Sequence, residues 1–180
     1  MEKSIAQVAV FAALIAVLGL IPKFTLAFGV PITAQSLGIM LCGTVLGAKR
    51  GGLAALLFVL LTLAGLPLLA GGRGGIGLLA GPSVGFIVGF PIAAFVTGWV
   101  MERTNRNVLT SATIAAFAGG IIALYIPGVL GMAYILDKTL LGAFALVSAF
   151  VIGDLVKVVI CGFVTQAIHS SRPKHLLTRN

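Results

Sequence analysis

Residues 150–159 read "FVIGDLVKVV", and within this apolar run stand an aspartate, Asp154, and a lysine, Lys157. On a helix the i, i+3 spacing puts both on one face. The aspartate offers only acceptors and the ammonium only donors. Together they suit a small polar group that carries both N–H donors and a carbonyl. An ion pair that merely satisfies itself is the alternative, but a buried pair is weak evidence for stability. At membrane depth each charge costs at least ~2.5–3.5 kcal/mol, so ionisable residues there mark substrate or ion sites by default.

Arg73 is the second candidate. It lies in "LLAGGRGGIG" between two glycine pairs, in a loop with no other charge. Glycines allow a ligand to approach the backbone closely, and the guanidinium fork binds carboxylates. A solvated loop charge is the competing reading. "GGRGGIG" lacks the Lys-Ser/Thr ending of a phosphate-binding loop and follows no strand. Gln35, in "PITAQSLG", opens a helix either as a cap or as an amide turned into the bundle. Phe86 and Tyr125 are read as apolar walls, with plain packing as the alternative. Ala9, Ala12, Ala13 and Ala16 recur at i, i+3, i+4 and i+7, a small-residue stripe that lets another helix approach. That helix belongs either to the bundle or to a separate protein.

The elements that must position these residues are membrane helices. The 180 residues are 59% hydrophobic and 9% charged, with mean hydropathy +1.18, against about 25% charged for a soluble domain. The chain is therefore read as an integral membrane protein of one all-α domain. Apolar runs place helices at 4–21, 34–48, 51–66, 82–101, 108–133 and 140–168, with a polar tail at 169–180. The short second and third helices are expected to extend into their flanks. Pro127 is expected to kink the fifth. The N-terminal run is taken as a first span, not a signal peptide, since no small-residue cleavage pattern closes it.

The net charge is +8, but its distribution argues for topology, not nucleic acid. Lys3, Lys49, Arg50, Arg103, Arg106, Arg172, Lys174 and Arg179 fall on one side of the six spans. Only Lys23, Arg73 and Lys138 fall on the other. The positive-inside rule then puts both termini in the cytoplasm and the long Gly/Pro-rich loops outside, where they fold back over a cavity. Cys42 and Cys161 read as buried hydrophobes, His169 and His175 as solvated tail residues, and no metal-ligand spacing or cofactor motif is present. Four acids and two histidines do not assemble a catalytic constellation.

"GLPLLAGGRGGIGLLAGPSVGF", with "PITAQSLGIML" before it and "GDLVK" after it, resembles the BioY family, the biotin-specific substrate-binding subunits of energy-coupling factor (ECF) transporters. The resemblance runs over about residues 5–165. Here "GPSVGF" stands where family members often have "GPTGGY", so Phe86 brings no hydroxyl. The resemblance implies a six-helix bundle in the cell membrane, both termini cytoplasmic, that takes biotin from outside. It implies a transmembrane coupling protein and two ATPases as partners, docked in part on the alanine stripe. It implies that Asp154 and Lys157 meet the ureido ring and Arg73 the carboxylate. Without it, the residues support only an amphiphilic small anion, and a stand-alone carrier or channel is the competing function.

Overall fold

The computed structural model describes residues 2–22, 24–25 and 31–171. Lys23, Arg172, Lys174, His175 and Arg179, which enter the charge count and the tail assignment, lie outside the described residues.

α1 spans Glu2–Leu18, and a two-residue antiparallel ladder follows, β1 (Phe24–Thr25) against β2 (Pro31–Ile32), with Phe24 opposite Ile32. α2 runs Gln35–Leu63 and is interrupted at Gly47, whose φ of 80° and ψ of −179° are not helical. That corner of backbone space is essentially open to glycine alone. The chain doubles back there: a Cβ placed on Gly51 would lie 2.6 Å from the carbonyl oxygen of Cys42. The second and third expected helices are thus the two arms of α2, and they join at Gly47 instead of extending into their outer flanks. The break frees the N–H of Ala48, and Glu102 accepts it at 2.9 Å, a carboxylate placed at the start of a helical arm where the dipole favours it.

A 3₁₀ turn at Ile76–Ala80 leads into α3, Val84–Arg103. The next helix is α4 (Val108–Phe117), a π segment (Ala118–Ala123) and α5 (Leu124–Ile135) end to end. Pro127 sits in α5, and the ring removes the bond its N–H would have given to Ala123. The π segment ends at that same Ala123. The expected irregularity is therefore spread over the turn before the proline. α6 spans Leu140–Ser171, so His169 belongs to a helix and not to a polar tail.

Among the described residues four helices are long and apolar enough to cross a membrane: α2, α3, the composite Val108–Ile135 and α6. α1, with 17 residues, is at the lower limit of about 17. The outer surface agrees, since Val10, Leu60, Phe95, Ile152 and Phe163 are exposed, more apolar surface than a soluble monomer tolerates. α6 shows the sorting clearly. Ala143, Val147, Phe150, Asp154, Val158, Cys161 and Thr165 are buried, a stripe at three- and four-residue spacing, while Ile152, Val156 and Val159 face outward. Asp154 lies on the inward stripe, so its carboxylate is directed at protein and not at lipid.

Candidate functional site

The Asp154 carboxylate is held by three donors from three elements. Lys157, one turn on in α6, reaches Oδ1 at 2.8 Å. Ser36, in the first turn of α2, donates to the same oxygen at 3.1 Å. Tyr125 of α5 donates its hydroxyl to Oδ2 at 2.6 Å. Lys157 also donates to Ser36 Oγ at 2.9 Å, which closes a triangle of Asp154, Lys157 and Ser36. The pair carries no net charge, and its members are bonded to their neighbours, the condition under which charge is tolerated inside a protein. Ser36 was not singled out from the sequence, because a serine at a helix start is ordinary. Tyr125 is more than an apolar wall: its ring packs edge-on to Phe86 at 6.1 Å, while its hydroxyl serves the carboxylate.

Asp154, Lys157, Ser36 and Phe86 border one cavity, about 590 Å³ with the open space at its mouth included, whereas Tyr125, expected as a wall of the site, is not among the residues that line it and instead holds Asp154. Asp154, Lys157 and Ser36 form its polar wall, and Phe86, Phe90, Leu124 and Phe150 supply apolar lining. Ile32 and Thr33 border it from the segment before α2, and Leu69, Arg73 and Ser83 from the segment between α2 and α3. Both long connections therefore contribute to the cavity, and Ile32 approaches α6 at Gly153.

Arg73 is brought to the same cavity. A tight turn positions it, with Leu69 and Arg73 exchanging backbone bonds at 3.0 and 3.1 Å. Its side chain donates from Nε to the Ala70 carbonyl at 3.4 Å. Partial burial lowers the guanidinium's pKa from its ordinary value, and it remains a cation.

Gln35 also borders the cavity, but its amide is committed elsewhere. Nε2 donates to the carbonyls of Ile15 in α1 at 3.2 Å and Leu68 at 3.0 Å. Oε1 accepts from Ala70 N–H at 3.0 Å. The residue is 1% exposed and does not cap α2, whose cap position is Ala34. Gly19 leaves room for this joint: a Cβ there would lie 2.7 Å from the Leu68 oxygen and 2.8 Å from Gln35 Nε2. Gln35 thus fastens the Arg73 segment to α1 and α2.

The alanine stripe of α1 divides. Ala9 and Ala13 are exposed, Ala16 is half-buried, and Ala12 is buried against the bundle. Cys42 and Cys161 are both free and buried. No cluster of three metal-binding side chains occurs among the described residues.

An apolar helical bundle with a charged pair facing a cavity open at its mouth has the make-up of a membrane protein with a site for a small amphiphilic molecule. Comparison with known proteins agrees. The BioY family model matches residues 2–174, and the chain belongs to the BioY family. It is 48% identical over 189 residues to the biotin transporter BioY of Rhodobacter capsulatus, covering 99% of this chain and all of that one. It is 39% identical over 170 residues to a probable biotin transporter BioY of Bacillus subtilis, covering 92% and 91% of the two chains. Its fold is similar to the crystal structure of the S-component for biotin from an ECF-type ABC transporter, with a TM-score of 0.87, 28% identity, and 94% and 92% of the two chains covered.

Proposed function

We propose that this chain binds biotin and is the substrate-specificity subunit through which an ECF transporter takes the vitamin up. Relatives named as biotin transporters and the S-component structure support the ligand and the role. The observation that carries the site assignment is that Asp154, Lys157 and Arg73 border one apolar cavity. Biotin has a ureido ring with two N–H donors and a carbonyl, an apolar sulfur ring, and a carboxylate tail. Asp154 accepts from the ureido N–H groups. Lys157 has three N–H donors, two of them engaged with Asp154 and Ser36, and the third serves the ureido carbonyl. Phe86, Phe90 and Phe150 surround the sulfur ring, and Arg73 holds the carboxylate.

The work of transport falls to partners, a transmembrane coupling protein and two ATPases, and this chain supplies recognition and not catalysis. The exposed Ala9 and Ala13 of α1 offer a close-approach face for the coupling protein. Six crossings are counted as α1, the two arms of α2, α3, the composite helix over 108–135, and α6. An even number puts both termini on one side, and the lysine and arginine bias puts that side in the cytoplasm of a plasma-membrane protein.

Calorimetric titration of the purified protein with biotin tests the ligand, and absence of binding overturns this reading. Uptake by cells with and without the coupling module tests the role. Full uptake in its absence would make the chain a carrier in its own right. A tag near Arg73 that is accessible only from the cytoplasm would overturn the orientation.

A further inference from the structure

Ser83 carries a buried polar atom with nothing to bond. The residue is 8% exposed, and its hydroxyl oxygen is buried without a hydrogen-bond partner. Buried hydroxyls are nearly always bonded, and an exception requires an explanation.

The local backbone explains why the bond is missing. Ser83 occupies the cap position of α3, a 20-residue helix, where serine ordinarily turns its hydroxyl back onto the first amides. That geometry needs an extended residue. Ser83 has φ −84° and ψ −4°, in the helical region, and makes no capping bond. Its hydroxyl is left for something outside the protein.

The surroundings say what that is. Ser83 borders the main cavity together with Arg73, and the same two residues border the adjoining glycine-rich hollow with Gly72, Gly74 and Gly81. The positive end of the α3 dipole lies at this point. A guanidinium, a serine whose hydroxyl is unbonded and the N-terminus of α3 thus border both the cavity and the adjoining hollow, an arrangement that favours an anion.

We propose that Ser83 is a further ligand-contact residue, whose hydroxyl donates to the carboxylate that Arg73 holds. This rests on the reading of the cavity as a biotin site and assigns its second polar pole to two residues instead of one. A carboxylate has about four acceptor positions, so the arginine fork alone does not satisfy it, and the serine supplies another donor.

The test uses the full chain in detergent, with wild type, Ser83→Ala and Ser83→Thr titrated against biotin and against biotin amide. An unbonded buried hydroxyl contributes nothing to the empty protein, so Ser83→Ala keeps or raises the ligand-free melting temperature. The same variant binds biotin about tenfold more weakly, the scale of one hydrogen bond to a charged group. It loses less toward the neutral amide, and Ser83→Thr restores biotin affinity. Combined with Arg73→Ala, the serine change costs less than it does alone, because the two act on one carboxylate. A lowered ligand-free melting temperature shows a structural partner for Ser83 and overturns the proposal. Unchanged biotin affinity in Ser83→Ala, or equal loss for biotin and the amide, overturns it while the biotin reading stands. A wild-type protein that does not bind biotin removes both.

Discussion

Tyr125 and Asp154 are joined by a 2.6 Å hydrogen bond between α5 and α6, made to the carboxylate oxygen that Lys157 and Ser36 leave alone. The two carboxylate oxygens are thereby divided between partners, and the aspartate plane is fixed from both sides. A carboxylate set in this way loses little freedom when a ligand binds, which is how preorganisation raises affinity.

Tyr125→Phe keeps the ring that meets Phe86 and deletes one donor. Asp154 retains Lys157 and Ser36, so the protein folds. Biotin affinity falls about tenfold, or ~1.4 kcal/mol, measured by calorimetry. Unchanged affinity would show that the tyrosine does not orient the carboxylate.

Asp154→Leu combined with Lys157→Met separates structure from recognition. Apolar residues often replace a buried ion pair without loss of stability. The double variant is expected to insert, to run as a monodisperse species and to fail to bind biotin. Tight binding in that variant would refute the ureido assignment. Single replacements are less informative, since each strands a charge.

Arg73→Ala removes the guanidinium from the cavity lining. Biotin is expected to lose about 1.5–3 kcal/mol of binding free energy, the range for a charge-assisted hydrogen bond. Biotin amide loses less. Equal losses for acid and amide would mean that the arginine does not read the carboxylate.

Ala13→Trp probes the exposed part of the α1 stripe. The side chain already faces outward, so the bundle accepts the bulk, and biotin binding is unchanged. Uptake driven by the coupling module is abolished, because the added ring holds the neighbouring helix away. Normal coupled uptake would place the docking face elsewhere.

Gln35→Glu changes the amide joint. A carboxylate has no N–H to give to Ile15 and Leu68 and points an oxygen at their carbonyls. Leaving buried groups unsatisfied costs about 1–3 kcal/mol each. The variant is expected to melt at lower temperature, read by thermal shift without ligand. An unchanged melting temperature would show that the joint contributes nothing to the folded state.

The helices were legible where apolar length was the signal. The run expected at 140–168 appears as Leu140–Ser171, and that at 82–101 as Val84–Arg103. Charge in an apolar run was also legible, since Asp154 and Lys157 stand out against their neighbours. The joining of two expected helices at Gly47 was not, because many glycines stand in apolar runs and only backbone dihedrals distinguish the one that reverses the chain. Ser36 and Ser83 were missed for a related reason. Serine at a helix start is usually a cap, and its availability to a ligand depends on ψ and on neighbours distant in sequence. Gln35 was legible as a polar residue at a helix start, but the choice between cap and inward amide needed the positions of Ile15, Leu68 and Ala70.

Gln35 has a mechanical consequence. Its amide is a single rigid plane: Nε2 donates both to Ile15 of α1 and to Leu68, and Oε1 accepts from Ala70. Three bodies that a loose loop would leave independent share one pivot: the first helix, the start of the second, and the segment carrying Arg73. The linkage between α1 and the segment that carries Arg73 to the cavity is therefore one side chain long.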